Sequence, residues 1–104
     1  MIIATSSNIV GKEITKTYGV VRGNTVRARH VGKDIIAGLK TIVGGEIQEY
    51  TKLMAESREQ SIDRMVEEAK ALGANAIVDA RFATSYIMSN VAEILVYGTA
   101  VHVE

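Results

Sequence analysis

The sequence predicts an α+β domain, with a short helix and a long helix on one face of a mainly antiparallel sheet. Three observations carry that prediction. Between Gly44-Gly45 and Gly73, the residues Ile47, Tyr50, Met54, Ile62, Met65, Ala69 and Leu72 recur at steps of three and four. That spacing lays them on one stripe of a helix, because 3.6 residues make a turn. After Gly73, Ala76–Met88 alternates with a period of two, and Val91–Val103 returns behind Ser89-Asn90 as the second arm of a C-terminal hairpin. Ahead of His30, the pattern Ile14-x-Lys16-x-Tyr18-x-Val20, with β-branched Thr15 and Thr17 between, reads as a strand.

Each element follows in order. Ile2–Thr5 is a short β-prone start, and Ser6-Ser7-Asn8 and Gly11-Lys12 read as turns. Within the strand from Ile14, Gly19 suggests a bulge or a close backbone approach. Arg22-Gly23-Asn24 reads as a turn into a further strand, Thr25-Val26-Arg27-Ala28. After His30 the period changes, and Val31, Ile35, Ile36, Leu39, Ile42 and Val43 predict a helix of three turns over Lys33–Val43. Gly44 is its stop, and interior Gly38 suggests that another backbone packs close there. The long helix, Glu46–Leu72, holds no proline and would span about 40 Å. A compact domain of this length has a radius of gyration of about 13 Å, so that helix offers surplus contact surface. In the hairpin, Val78, Ala80, Phe82, Tyr86 and Met88 form the inward parity of the first strand. In the second, Ile94, Val96, Gly98 and Ala100 face Glu93, Leu95, Tyr97, Thr99 and Val101 across the strand. The latter set is not clearly polar, which suggests cover on both faces.

With 104 residues and 47% apolar side chains, one domain spanning 1–104 is expected, and disorder is not. Cysteine is absent, which excludes disulfides, thiolate metal sites and a cysteine nucleophile, and fits a cytoplasmic protein. Met1 leads straight into Ile2-Ile3-Ala4-Thr5 without a basic run or a long apolar run, so no signal peptide is expected. No run approaches the ~20 apolar residues of a membrane span. The net charge is zero but unevenly spread: +5 over residues 1–45, −3 over 46–72 and −2 over 73–104. Opposite-signed halves could steer subunits into one orientation, or could simply be two solvated faces.

Several segments together resemble a known family. They are Gly19-Val20-Val21-Arg22-Gly23, Gly38-x-x-x-Ile42-Val43-Gly44-Gly45, Glu49-Tyr50, Leu72-Gly73-Ala74-Asn75-Ala76-Ile77-Val78 and Gly98-Thr99-Ala100-Val101. Across nearly the whole chain they are similar to the YbjQ family, small bacterial and archaeal proteins often labelled heavy-metal-binding. The resemblance implies a β-rich α+β subunit in a ring-shaped homopentamer, and no established reaction. Family members typically carry an acidic Asp-x-Asp-Tyr-Glu run after the long helix. Here that stretch is Asp79-Ala80-Arg81-Phe82-Ala83-Thr84-Ser85-Tyr86, with Asp79 its one acidic residue. The family's Gly-Ala-Asn-Ile run before the first helix is Arg27-Ala28-Arg29-His30. Both departures weaken an oxygen-ligand site for hard cations.

The residues themselves offer weak metal candidates only: His30, Glu46, Asp79, Glu93 and His102. A zinc site needs about four ligands, and the two histidines have no ligand spacing between them. The Gly44-Gly45-Glu46 corner could present amide groups to an anion, but it lacks the Gly-Lys-Ser/Thr of a phosphate loop and reads better as turn geometry. Arg58, close to the apolar stripe, reads as a structural ion pair or a subunit contact. No serine sits in an activating motif, and the dispersed aromatic residues argue against nucleic-acid binding. The expectation is a cytoplasmic, ring-forming binding or structural protein, whose partner is itself, without membrane attachment, cofactor or catalysis. The alternatives are a metal or small-ligand protein, bound at a subunit interface or central channel, and an enzyme.

Overall fold

The β-branched and aromatic run that opens at Ile14 does not stop at Arg22-Gly23-Asn24. In the computed structural model, which describes residues 1–28, 48–88 and 91–104, it continues as one strand, β2, from Ile14 to Ala28. The other elements are β1 (Ile2–Ile3), α1 (Gln48–Leu72), β3 (Ala76–Met88) and β4 (Val91–Val103). The four strands form one sheet in the order β1-β3-β4-β2. β4 is antiparallel to both β3 and β2, while β1 pairs parallel with β3, so the sheet is mixed and mostly antiparallel. The expected hairpin is present, with Met88 opposite Val91. The short helix over Lys33–Val43, the Gly44-Gly45 corner and the predicted helix start at Glu46 lie outside the described residues.

Gly23 explains the error over the turn. Val21, Gly23 and Thr25 lie opposite Gly98, Val96 and Ile94, on the sheet face that α1 covers. A Cβ on Gly23 would overlap the Ser61 carbonyl oxygen and come within 2.6 Å of the Met65 backbone nitrogen. Glycine is therefore where the helix backbone touches the strand, not where the strand ends. The same contact corrects the apolar stripe. The buried line on α1 is Ser57, Ser61, Met65 and Ala69, while Leu72 is exposed. Where the backbones touch there is room only for small side chains, so two serines occupy positions at helical spacing that a polarity reading discards. They are satisfied locally: the Ser57 hydroxyl donates to the Leu53 carbonyl at 2.8 Å, and the Ser61 hydroxyl to the Ile94 carbonyl at 3.1 Å. Thr25 donates to the Ser57 carbonyl at 3.2 Å, so the contact is hydrogen-bonded as well as close.

The core has two parts on opposite faces of the sheet. Beneath the helix, Val21, Met65, Ala69, Ala74, Ile77, Val96 and Ala100 pack together, joined by Tyr18, Ile62 and Val66. On the other face, Ala76, Val78, Val101 and Val103 are covered by Ile9 and Ile14. The expected double cover of β4 thus holds at this end of the strand, but Tyr97, further along, is exposed. The same end gathers both chain termini. Glu13 and Glu104 exchange backbone hydrogen bonds at 2.9 Å, and the Asn75 amide clamps the backbone of Val103 at 2.8 and 2.9 Å.

The helix ends as predicted. Gly73 has a φ of 94°, its N–H bonds the Lys70 carbonyl at 3.0 Å, and the Ala74 N–H reaches back to Ala69 at 3.1 Å. This is a Schellman stop, with Ala74 and Ala69 both buried behind it. Tyr18 donates its hydroxyl to the Gly73 carbonyl at 3.2 Å. Gly73→Ala is expected to lower stability by about 1–2 kcal/mol, the cost of a left-handed non-glycine residue, as read by urea denaturation. An unchanged midpoint would contradict this account.

Candidate functional site

Alternation along β3 breaks at Asp79. Register passes from Val78 opposite Thr99 to Arg81 opposite Tyr97, so Asp79 and Ala80 together face Gly98 in a bulge. Asp79 has a φ of 54°, left-handed for a residue with a side chain. Two bonds hold it there: its N–H donates to the Ser6 carbonyl at 3.0 Å, and its carboxylate accepts from the Ser7 hydroxyl at 2.8 Å. Arg81 donates to the Thr5 carbonyl at 2.8 Å and to that of Ala80 at 2.9 Å. Asp79 is thus engaged in stapling residues 5–7 to β3.

Beyond the bulge, the inward parity expected for β3 fails. Phe82, Thr84 and Tyr86 lie opposite Val96, Ile94 and Ala92, on the helix face of the sheet. Yet α1 packs over β2 and β4 and leaves this end of β3 uncovered. Phe82 is 49% and Tyr86 74% exposed, with Ile87 exposed beside them. On the opposite face, Val20, Val26 and Tyr97 are also exposed. The alternating pattern correctly predicts a strand; it could not tell that the helix stops short of covering it. The one hint in the sequence was the tolerance of aspartate for left-handed backbone, which marks residue 79 as a break.

The metal candidates among the described residues are not brought together. Glu93 accepts a hydrogen bond from the Asn24 amide at 3.2 Å. His102 pairs with Glu104 at 3.4 Å and lies opposite Lys16. Glu93 and His102 are nine residue steps apart along β4, roughly 30 Å. Asp79 is at the bulge between them, and His30 and Glu46 lie outside the described residues. Among the described residues no three His, Cys, Asp or Glu side chains are grouped to hold a metal ion. Arg58 is exposed, one turn from half-buried Met54 and Ile62, and makes no ion pair among the described residues. Among the described residues no helix is long and apolar enough to cross a membrane. The distinctive surface is therefore the uncovered end of the sheet.

Comparison with known proteins agrees with the fold. Residues 1–104 match the YbjQ family, described as "Putative heavy-metal-binding". The chain is similar to a UPF0145 protein of Methanosarcina acetivorans, with 57% identity over 99% of this chain and 97% of that one. It is also similar to a UPF0145 protein of Dehalococcoides mccartyi, 54% identical over all of both chains. A crystal structure of a DUF74-family protein of unknown function from Pediococcus pentosaceus superposes with a TM-score of 0.66. It covers 100% of this chain and 98% of that one at 16% identity, a likeness of fold.

Proposed function

The chain belongs to the YbjQ family, and from that premise we propose that it is a cytoplasmic, ring-forming homo-oligomer, a pentamer, that binds or scaffolds without catalysis of its own. One observation carries this reading. Phe82, Tyr86 and Ile87 on β3, with Tyr97 and Val26 on the opposite face of the neighbouring strands, are large apolar side chains left in water beyond the Asp79 bulge. Clusters of that kind mark interaction surfaces. The expected result of native mass spectrometry through the micromolar range is a pentamer of the 11.2 kDa chain. A monomer at every concentration overturns the reading.

The family's description favours a second reading, in which a metal ion is bound at a subunit interface or in the ring's channel. Because the described residues of one chain bring no three ligands together, such a site would draw Glu93, His102 or Asp79 from several copies. Native spectra recorded with Zn2+ separate the two readings: a whole number of ions retained per ring supports the second, and bare rings leave it without support.

A further inference from the structure

We infer that the ring is held by strand addition, the outer edge of β3 over Arg81–Met88 pairing with the outer edge of a neighbouring copy's β2. The inference rests on the homo-oligomer reading above and names its contact. β1 pairs with β3 at Ala76 and Ile77, and residues 4–6 bond the backbone of Ile77, Asp79 and Ala80, so among the described residues the outer edge of β3 has no strand beside it over Arg81–Met88. Among the described residues β2 is the other edge of the sheet and pairs with β4 alone. The described residues thus present two unlike edges with no strand beside them, and such edges offer backbone donors and acceptors to a further strand.

Two further observations select a second copy, joined head to tail. First, α1 covers β2 and β4 and not the far end of β3. Adding a neighbour's β2 to β3 would set that neighbour's helix on the same sheet face as Phe82 and Tyr86, about one strand spacing away. The pairing that closes the edge also covers the aromatic side chains. Second, joining β3 to its own copy would leave both β2 edges open, and joining β2 to its own copy would face Lys16 and Arg22 with their like. Pairing unlike edges leaves none once the ring closes.

The absence of cysteine allows a direct test. Ser85→Cys on β3 is combined in turn with Val20→Cys, Asn24→Cys and Val26→Cys on β2, all exposed and all on the face away from the helix. Within one chain β4 lies between the two strands, so the nearest of these pairs, Ser85 and Val26 across Glu93, is about 10 Å apart and the others further, beyond disulfide reach. After mild oxidation, at least one double variant is expected to run on a non-reducing gel as a ladder of multiples of 11.2 kDa. Ser85→Cys alone is expected to remain a single chain. A dimer from Ser85→Cys alone overturns the inference, because β3 would then pair with itself. So does the absence of any ladder in all three double variants when native mass shows an assembly. A native monomer is instead the failure of the ring reading itself.

Discussion

Gly23→Ala is expected to destabilise the protein by about 3 kcal/mol, the upper end of what overpacking a closed core costs. The added methyl would meet backbone on the helix side, the Ser61 carbonyl and the Met65 amide, and not the far end of a side chain that can swing away. Relief requires α1 to lift from β2. That would break the bonds that tie the helix to the sheet, from Thr25 to the Ser57 carbonyl and from Ser61 to the Ile94 carbonyl. Arg64, which donates to the Asn24 carbonyl, would be displaced with them. With total stability of a domain this size on the order of 5–15 kcal/mol, such a loss is a large share. Urea titrations at one fixed protein concentration measure it. A change below about 0.5 kcal/mol, the range of an ordinary surface substitution, would show that the helix does not press on the strand at this position.

Met65→Ala is expected to cost a comparable amount, about 2–5 kcal/mol, by the opposite route. Met65 is fully buried and the bulkiest of the fully buried side chains, in the cluster with Val21, Ile77, Val96 and Ala100. Truncation removes apolar contact and leaves a cavity, and the close approach at Gly23 prevents the helix from sinking to fill it. The same denaturation series checks it. A midpoint unchanged from the parent would mean that the core beneath α1 is not the principal source of stability. The two substitutions act on adjacent contacts, so their effects should not add.

What the sequence made legible was whatever depends on local physics. The last turn of α1, its glycine stop and the bulge at Gly19, where φ is 114° and the register to β4 shifts, follow from helical spacing and glycine placement. The strands β3 and β4 follow from alternation and from the Ser89-Asn90 signal between them. What depends on how elements meet was not legible. Gly23 reads as a turn by composition, and only the helix lying on it reveals a close approach. Ser57 and Ser61 are absent from the apolar stripe, and only their distance from Thr25 and Ile94 reveals a buried, satisfied contact. Phe82 and Tyr86 read as core because alternation reports the face of a strand, while burial depends on whether anything lies over that face. Of the candidate site residues, Asp79, Glu93 and His102 could be placed on their strands by alternation, but that Asp79 sits in a bulge bonded to Ser6 and Ser7 was not legible.

The pairing of β2 with β4 also bears on how the chain folds. Ile14 lies opposite Val103 and Ala28 opposite Val91, so each rung of that ladder closes a loop of most of the chain. Loop closure of that length is entropically costly before any contact rewards it, whereas α1 and the β3–β4 hairpin can form from near neighbours. The expected order has the helix and hairpin early and β2 docking last, on millisecond-to-second timescales. Until β2 arrives, β4 is an open edge, and a newly made chain carries the hazard of pairing that edge with the wrong strand.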